Sequence, residues 1–384
     1  MRWRTSASRR RSDPTDPPVA GRAVIAGLLA ALLIGACGTA TGGAVRRSPA
    51  PALPASPTPA ASPTAAPPPT PAVKASPTPA PTPRAATTFT GKVVQQPAAR
   101  LRFGPGLDMP VLDLVPAGSV VTFDGWFRRA DEPALADDTT GRIEPWSRDW
   151  LHLADGRGWI HSSAVLGQPP AGTAQLAWIR PGRLPSSQAG IVAAPLDLQD
   201  TNVTCEIASL KMALAARGIS STESALLGWT GVDPRPPELD QSGRIVRWGN
   251  PDTGFVGDPN GRMSELTGYG VYAAPVARAA RAAGATVLAA GRGVSARSVY
   301  SQLIAGQPVI AWVTSDYRRD QVSTWSAWDG ATVTYSLQEH AVLVVGITPS
   351  QVVINDPWWG TIWRSRQVFE AAYSTLGEMA VVIR

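Results

Sequence analysis

His340-Ala341-Val342-Leu343-Val344-Val345-Gly346-Ile347, followed by Thr348-Pro349-Ser350 and then Gln351-Val352-Val353-Ile354-Asn355-Asp356-Pro357, is the stretch on which the fold turns. Two apolar runs around a short turn read as an antiparallel hairpin, and the proline after Asp356 ends the second strand because it cannot donate to a ladder. His340 at the start of one strand and Asp356 at the end of the other then lie within one or two rungs on the same edge. Asp356 can accept from one imidazole nitrogen while the other faces a reaction partner. Asn355, the neighbouring candidate, alternates to the opposite face.

The reaction partner is sought upstream. His340 is the only histidine beyond residue 161, and Cys205 is the only cysteine beyond residue 37. In Cys205-Glu206-Ile207-Ala208-Ser209-Leu210-Lys211-Met212-Ala213-Leu214-Ala215-Ala216-Arg217-Gly218, the apolar residues Ile207, Leu210 and Leu214 fall at helical spacing and Gly218 is a stop signal. Asn202 or Thr204 is expected to cap this helix. Cys205 then sits at a helix N-terminus, where free N–H groups favour a thiolate and bring its pKa into roughly the 3.5 to 7.5 range. Glu206 reads as a stabiliser of the first helical turn. A thiol hydrolase needs a nucleophile, a base, a group that orients the base and a donor for the oxyanion. Cys205, His340, Asp356 and Gln199, six residues before the cysteine, supply these parts in order. The competing reading of Cys205 is a small buried apolar residue.

The remainder of 190–384 fits an α+β layout. Helices are expected near Pro275 to Ala283, Ala296 to Ala305 and Ser365 to Leu376, and strands at Thr286 to Ala289, Pro308 to Val313 and Met379 to Ile383. Trp358 and Trp359, directly after Asp356-Pro357, are candidates to screen the histidine–aspartate pair from water. The Gly254 to Gly261 loop is expected to border a cleft, but it lacks the alternating oxygen ligands of a calcium loop. No cofactor and no metal site is expected.

Gln199 with Cys205, His340-Ala341-Val342-Leu343-Val344-Val345-Gly346 and Asn355-Asp356-Pro357 resemble papain-superfamily cysteine peptidases of the bacteriocin-processing (double-glycine leader) peptidase-like group. Trp248-Gly249-Asn250-Pro251 and Gly254 to Gly261 extend the similarity over about 190 residues. The resemblance implies a helix carrying the cysteine packed on an antiparallel sheet carrying histidine and aspartate. It also implies roles: Cys205 as nucleophile, His340 as general base and acid, Asp356 as its orienter and Gln199 as an oxyanion donor. The chain departs from the group at Cys205-Glu206-Ile207, where many members have Cys-Gly-Pro, which puts substrate preference in question more than chemistry.

Before residue 190 the composition changes twice. Arg2, Arg4 and Arg9 to Arg11 followed by the apolar run Ala23 to Ile34 read as an export signal over 1–36, too short for a comfortable membrane span. The run closes on Leu33-Ile34-Gly35-Ala36-Cys37, which resembles the lipobox of bacterial lipoproteins and implies a lipid on Cys37. Residues 47 to 86 hold 14 prolines among Ala, Ser and Thr, so 37–87 reads as an extended tether reaching on the order of 120 Å at about 3.1 Å per residue. Short β-type runs then fill 88–167. Ala99 to Gly106, Val115-Pro116-Ala117-Gly118-Ser119 and Gly158 to Ser163 resemble the bacterial SH3-like domain, an all-β barrel, lengthened by an insertion from about Asp131 to Arg148. Trp126, Trp146, Trp150 and Trp159 are candidates for a groove that takes cell-wall peptide, or for the barrel core. His152 and His161 read as structural or surface residues. Residues 168–189 form a linker.

The formal charge of +6 is misleading, since six arginines and two aspartates before residue 23 leave 29 basic against 27 acidic residues behind them. That near balance argues against a nucleic-acid binder, which should carry a concentrated basic face. Three functions fit: an exported, membrane-tethered cysteine peptidase acting on a peptide or protein substrate; a related hydrolase or amidase of wall peptide; and a non-catalytic surface protein keeping the peptidase fold. The wall-hydrolase reading lacks an Asp-Cys-Ser-Gly signature. The lipid expectation is checked by fractionation. Cys37→Ser should release the chain from the outer face of the membrane, and a variant that partitions like the parent and is cut at the same bond overturns it.

Overall fold

The computed structural model describes residues 87–384; the export signal, Cys37 and the tether up to residue 86 lie outside the described residues. Seven antiparallel strands make up the first half, in the spatial order Val111–Pro116, Ala98–Arg102, Trp159–His161, Asp149–Leu153, Val120–Arg128, Phe89–Val93 and Val165–Leu166. Strict alternation builds this sheet. In Phe89–Val93 the odd-numbered residues are buried while Thr90 and Lys92 face solvent, and the inward residues join Leu101, Phe123, Leu151 and Ile160 in one core.

The expected barrel does not close. Val111–Pro116 and Val165–Leu166 end the strand order without pairing to each other. The physical reason is visible at Val111, whose carbonyl accepts from Gln188 N and Ala189 N, at 3.0 and 3.3 Å, so the approach to the second domain occupies that end of the edge. The supposed linker is itself laid along the sheet. Trp126 N donates to Ala174 O and Leu176 N to Trp126 O, and the Trp178 ring seats on the bare backbone of Gly104, where a Cβ would come within 2.4 Å of it.

Trp150 and Trp159 belong to the core, while Trp126 and Trp146 line a surface groove with residues 168–173, next to the Asp131–Arg148 insertion. His152 bonds Asp124, and His161 bonds Ser163 in the interior.

The second half is built around a seven-stranded antiparallel sheet, ordered Val287–Gly291, Ala380–Ile383, Val309–Thr314, Glu339–Ile347, Gln351–Asp356 and Gly360–Ser365, with Gly190–Ile191 also paired to Glu339–Ile347 and two smaller sheets beside it. The two central strands, Val309–Thr314 and Glu339–Ile347, are buried along their whole length. They read as unbroken apolar runs because both faces are covered. One face, with Ile310, Trp312, Ala341, Leu343 and Val345, meets α1 (Cys205–Ala215), flanked by α2 (Glu223–Thr230) and α3 (Ala273–Ala282). The other face, with Val309, Val313, Val342 and Val344, meets α4 (Ala296–Ile304) and α5 (Arg366–Tyr373) through Val299, Leu303, Phe369 and Tyr373.

Helix α1 lies in the middle of its layer. Nine of its eleven residues are buried, so it is apolar nearly all round rather than striped. Its expected cap is absent: Thr204 makes no side-chain bond to the helix and gives its hydroxyl to Glu223 instead. Leu210 is fully buried on α1. Leu210→Ala should therefore cost about 2–5 kcal/mol of stability in denaturant unfolding, and a loss under about 1 kcal/mol would contradict the central packing of this helix.

Candidate active site

The hairpin register follows from the pairings Leu343 with Asn355 and Val344 with Ile354. One step further, Asp356 falls beside the start of the histidine strand, and His340 Nε2 lies 3.0 Å from Asp356 Oδ1. Both side chains are buried. The Asp356 carboxylate is held by four donors: Oδ1 also accepts from the backbone N–H of Trp358 at 2.8 Å and of Trp359 at 3.2 Å, and Oδ2 from the Tyr317 hydroxyl at 2.7 Å. Burial acts to raise its pKa, but the bond and charge of His340, the Trp358 N–H and Tyr317 outweigh it and hold the carboxyl below its ordinary value. Asn355 points away, to Ala194 O and Thr361.

Trp358 stacks on the His340 ring with centroids 5.0 Å apart and planes at 29°, so it fixes the imidazole plane. Trp359 is exposed. With Nε2 given to Asp356, His340 Nδ1 is buried and carries no partner.

Cys205 Sγ reaches the same place from the other layer. It accepts from Ala341 N at 3.3 Å, so the first turn of α1 touches the residue after the histidine. Cys205 and His340 line one cleft of about 350 Å³ together with Asn202, Gly261, Met263, Leu337, Glu339 and Trp358. The Gly254 to Gly261 segment thus borders the cleft through Gly261. Gln199 is placed less simply. Its Nε2 donates to Thr201 O at 2.7 Å, its Oε1 is buried without a partner, and its backbone N–H donates to Pro357 O.

Two groups alter the electrostatics. Glu206 is buried beside the sulfur, with Oε2 3.5 Å from Cys205 Sγ and Oε1 accepting from Val271 N at 2.6 Å. Glu339, the residue before His340, is buried on the α1 side with both oxygens unpartnered. Burial pushes Glu206 up to about 7, and burial with the Glu206 charge pushes Glu339 well above the usual carboxylate range. The thiol follows the same logic. Burial, then the Glu206 and Glu339 charges, raise Cys205 well above an ordinary cysteine, against the lowering effect of Ala341 N–H.

The surroundings of the sulfur run against the expected helix-stabilised thiolate: burial and two carboxyls raise the thiol, and the N–H it accepts from is that of Ala341, outside the helix. Glu206 stands in the first turn of α1 as expected, but it is buried there and neighbours the sulfur. Tyr317, at φ 58°, carried no signal in the sequence, whereas the adjacencies Cys205-Glu206 and Glu339-His340 were visible and unused.

These fields make a reactivity prediction. In a chain carrying Cys37→Ser, iodoacetamide should alkylate Cys205 more slowly than free cysteine at pH 7. Glu206→Gln should speed it by removing the charge that opposes the thiolate. Fast alkylation at pH 6, unchanged by Glu206→Gln, would show a thiolate already formed.

The profile of the Peptidase_C39 like family matches residues 191–381. A relative, the uncharacterized protein YvpB of Bacillus subtilis (strain 168), is 32% identical over 182 residues, 47% of this chain and 68% of the relative. Among solved structures, a protein assigned as a C39-like peptidase from Bacillus anthracis aligns at 27% identity and a TM-score of 0.44, covering 52% of this chain and 98% of its own. A double glycine motif protease from an AMS/PCAT transporter, solved with a leader peptide, aligns at 17% identity and a TM-score of 0.29, covering 50% and 92%. On the profile match and the extent of the likeness to YvpB, the chain belongs to the Peptidase_C39 like family.

Proposed function

We propose that this chain is an exported, membrane-tethered cysteine peptidase that cleaves a peptide bond with Cys205 as nucleophile, His340 as base and acid, and Asp356 as orienter. The observation that carries the reading is the division of labour on one imidazole: Nε2 on Asp356 at 3.0 Å, Nδ1 unpartnered, and the ring in the cleft that also holds Cys205. Family membership supports a peptide substrate.

Burial and the neighbouring carboxyls favour the thiol over the thiolate, so the proton is passed on during the reaction. His340 Nδ1 takes it from Sγ as the sulfur attacks the carbonyl carbon, and Asp356 stabilises the resulting imidazolium. His340 returns the proton to the leaving amine, leaving a thioester on Cys205. Water, deprotonated by the same nitrogen, hydrolyses the thioester and restores the thiol. Oxyanion stabilisation is assigned to the second Nε2 hydrogen of Gln199, the first being bound to Thr201 O. The N-terminal sheet is read as an open SH3-like unit whose Trp126–Trp146 groove takes wall peptide, and Cys37 as the lipid-bearing end of the tether.

A fluorogenic peptide library tests the catalytic part. Cys205→Ala should abolish turnover and His340→Ala nearly so, while Gln199→Ala should lower kcat by about 10²–10³. Asp356→Asn should be milder than Asp356→Ala, since an amide oxygen still accepts from the imidazole. Full activity in Asp356→Ala would mean that another group orients His340; turnover retained in Cys205→Ala would remove the peptidase reading.

A further inference from the structure

Peptide hydrolysis makes no use of Glu339, although it is the most unusual side chain in the cleft. It is 3% exposed, and neither carboxyl oxygen has a hydrogen-bond partner. A buried carboxylate without a partner is costly, so such a group holds a proton or meets a cation. No Lys or Arg is paired with it among the described ion pairs. Its neighbours are Cys205 and Glu206, and one donor atom from each of the three lies within 4.8 Å of the others.

The geometry points to a binding site for a thiophilic divalent cation of the zinc class, ligated by Cys205 Sγ, Glu206 Oε2 and Glu339. One thiolate and two carboxylates are donors that zinc accepts, with a fourth position left for water. Zinc–sulfur and zinc–oxygen bonds of about 2.3 and 2.0–2.2 Å at a tetrahedral angle require a sulfur–oxygen edge of about 3.5 Å. Sγ and Oε2 stand at 3.5 Å.

The surroundings suit a ligand set. Glu206 commits Oε1 to Val271 N, which turns Oε2 toward the sulfur. Ala341 N–H holds Sγ from the other side. Two ligands come from the first turn of α1 and the third from the first residue of the histidine strand. Glu339 has no bond to break and can close the remaining distance. Glycine at 270 is required beside them, because a Cβ there would come within 2.2 Å of Glu206 Oε1 and 3.3 Å of Glu339 Oε2. Cys205 and Glu339 both line the cleft, which gives an ion its path in. Binding releases to solvent the thiol proton and the proton held by the two carboxyls, and it occupies the sulfur. On the peptidase reading above, and only on it, the ion therefore holds the enzyme off.

The experiment reads binding apart from turnover. Full chain carrying Cys37→Ser, in which Cys205 is the sole thiol, is titrated with Co²⁺ and then with Zn²⁺ against a chromogenic chelator at neutral pH. One equivalent should bind, with a sulfur-to-cobalt charge-transfer band that Zn²⁺ erases and Cys205→Ser lacks. Glu339→Gln and Glu206→Gln should each weaken binding by tenfold or more. Absence of the band, or affinity in both glutamine variants unchanged from the parent, overturns the site and leaves the two carboxyls as holders of a shared proton. If either variant misfolds by circular dichroism, protection of wild-type Cys205 from iodoacetamide by one equivalent of Zn²⁺ decides in its place, absence of protection counting against the site. A chain that binds cobalt through sulfur yet cleaves no peptide when freed of metal by a chelator sinks the peptidase reading and leaves the metal site standing.

Discussion

The place where the aspartate strand stops governs the site. Pairing between the two hairpin strands runs back from Ile347 to Leu343 opposite Asn355, and the chain turns away after Asp356 because Pro357 cannot extend the ladder. The histidine strand continues past that point, paired on its other edge to Val309–Thr314 as far as Glu339. Beyond the last rung a backbone N–H is left facing inward, that of Ala341, and the sulfur of Cys205 accepts from it. The end of one strand therefore does two things at once. It delivers Asp356 to the histidine, and it opens the gap into which the start of α1 fits.

Around that gap the protein treats its buried acids in opposite ways. Asp356 receives donors on both oxygens, from His340, Tyr317 and two successive backbone N–H groups. A carboxylate so surrounded stays charged in the interior. Its folded pKa is depressed, so the stability it contributes is in place above the ordinary aspartate value of about 3.9 and is lost as pH falls through the lower folded value. Glu206 and Glu339 lie on the other side of the sulfur with a single backbone donor between them. They cannot both be charged in that space without a cation. Cys205 thus stands between a carboxylate bonded to His340 and an acid pair that opposes a thiolate.

Much of this arrangement was legible beforehand. Strand alternation set Asp356 and Asn355 on opposite faces, and the structure keeps them there. The helical spacing of Ile207, Leu210 and Leu214 located α1, and Gly218, at φ 73°, follows its end. What the spacing could not convey was how completely α1 would be covered. An apolar stripe predicts one buried face, whereas α2 and α3 also pack beside this helix, and Glu206 is enclosed by Cys205 and the backbone of Gly270 and Val271. That enclosure makes a residue read as a stabiliser of the first helical turn also a neighbour of the thiol. Tyr317 was out of reach for a different reason, since it enters from a turn after Val309–Thr314 and meets Asp356 across the sheet. The barrel failed to close because the chain that leaves the first sheet returns along its edge, a tertiary event that strand patterns do not encode.

That returning segment also joins the two halves. Val111 O is bound by Gln188 and Ala189 N–H, and Arg100 reaches Ile191 O. Two residues on, Gly190 and Ile191 pair with Ile347 and Gly346 at the far end of the histidine strand. The passage is tight: a Cβ on Gly190 would come within 2.6 Å of Leu303 O, so only glycine lets this backbone slip between α4 and the sheet. A junction this short, bonded on both sides, has no slack. The Trp126–Trp146 groove is thereby carried on the same continuous hydrogen-bonded frame as the Cys205 cleft. A ligand held in that groove and a peptide held in the cleft would meet surfaces whose separation is set by the fold, rather than by a swinging linker.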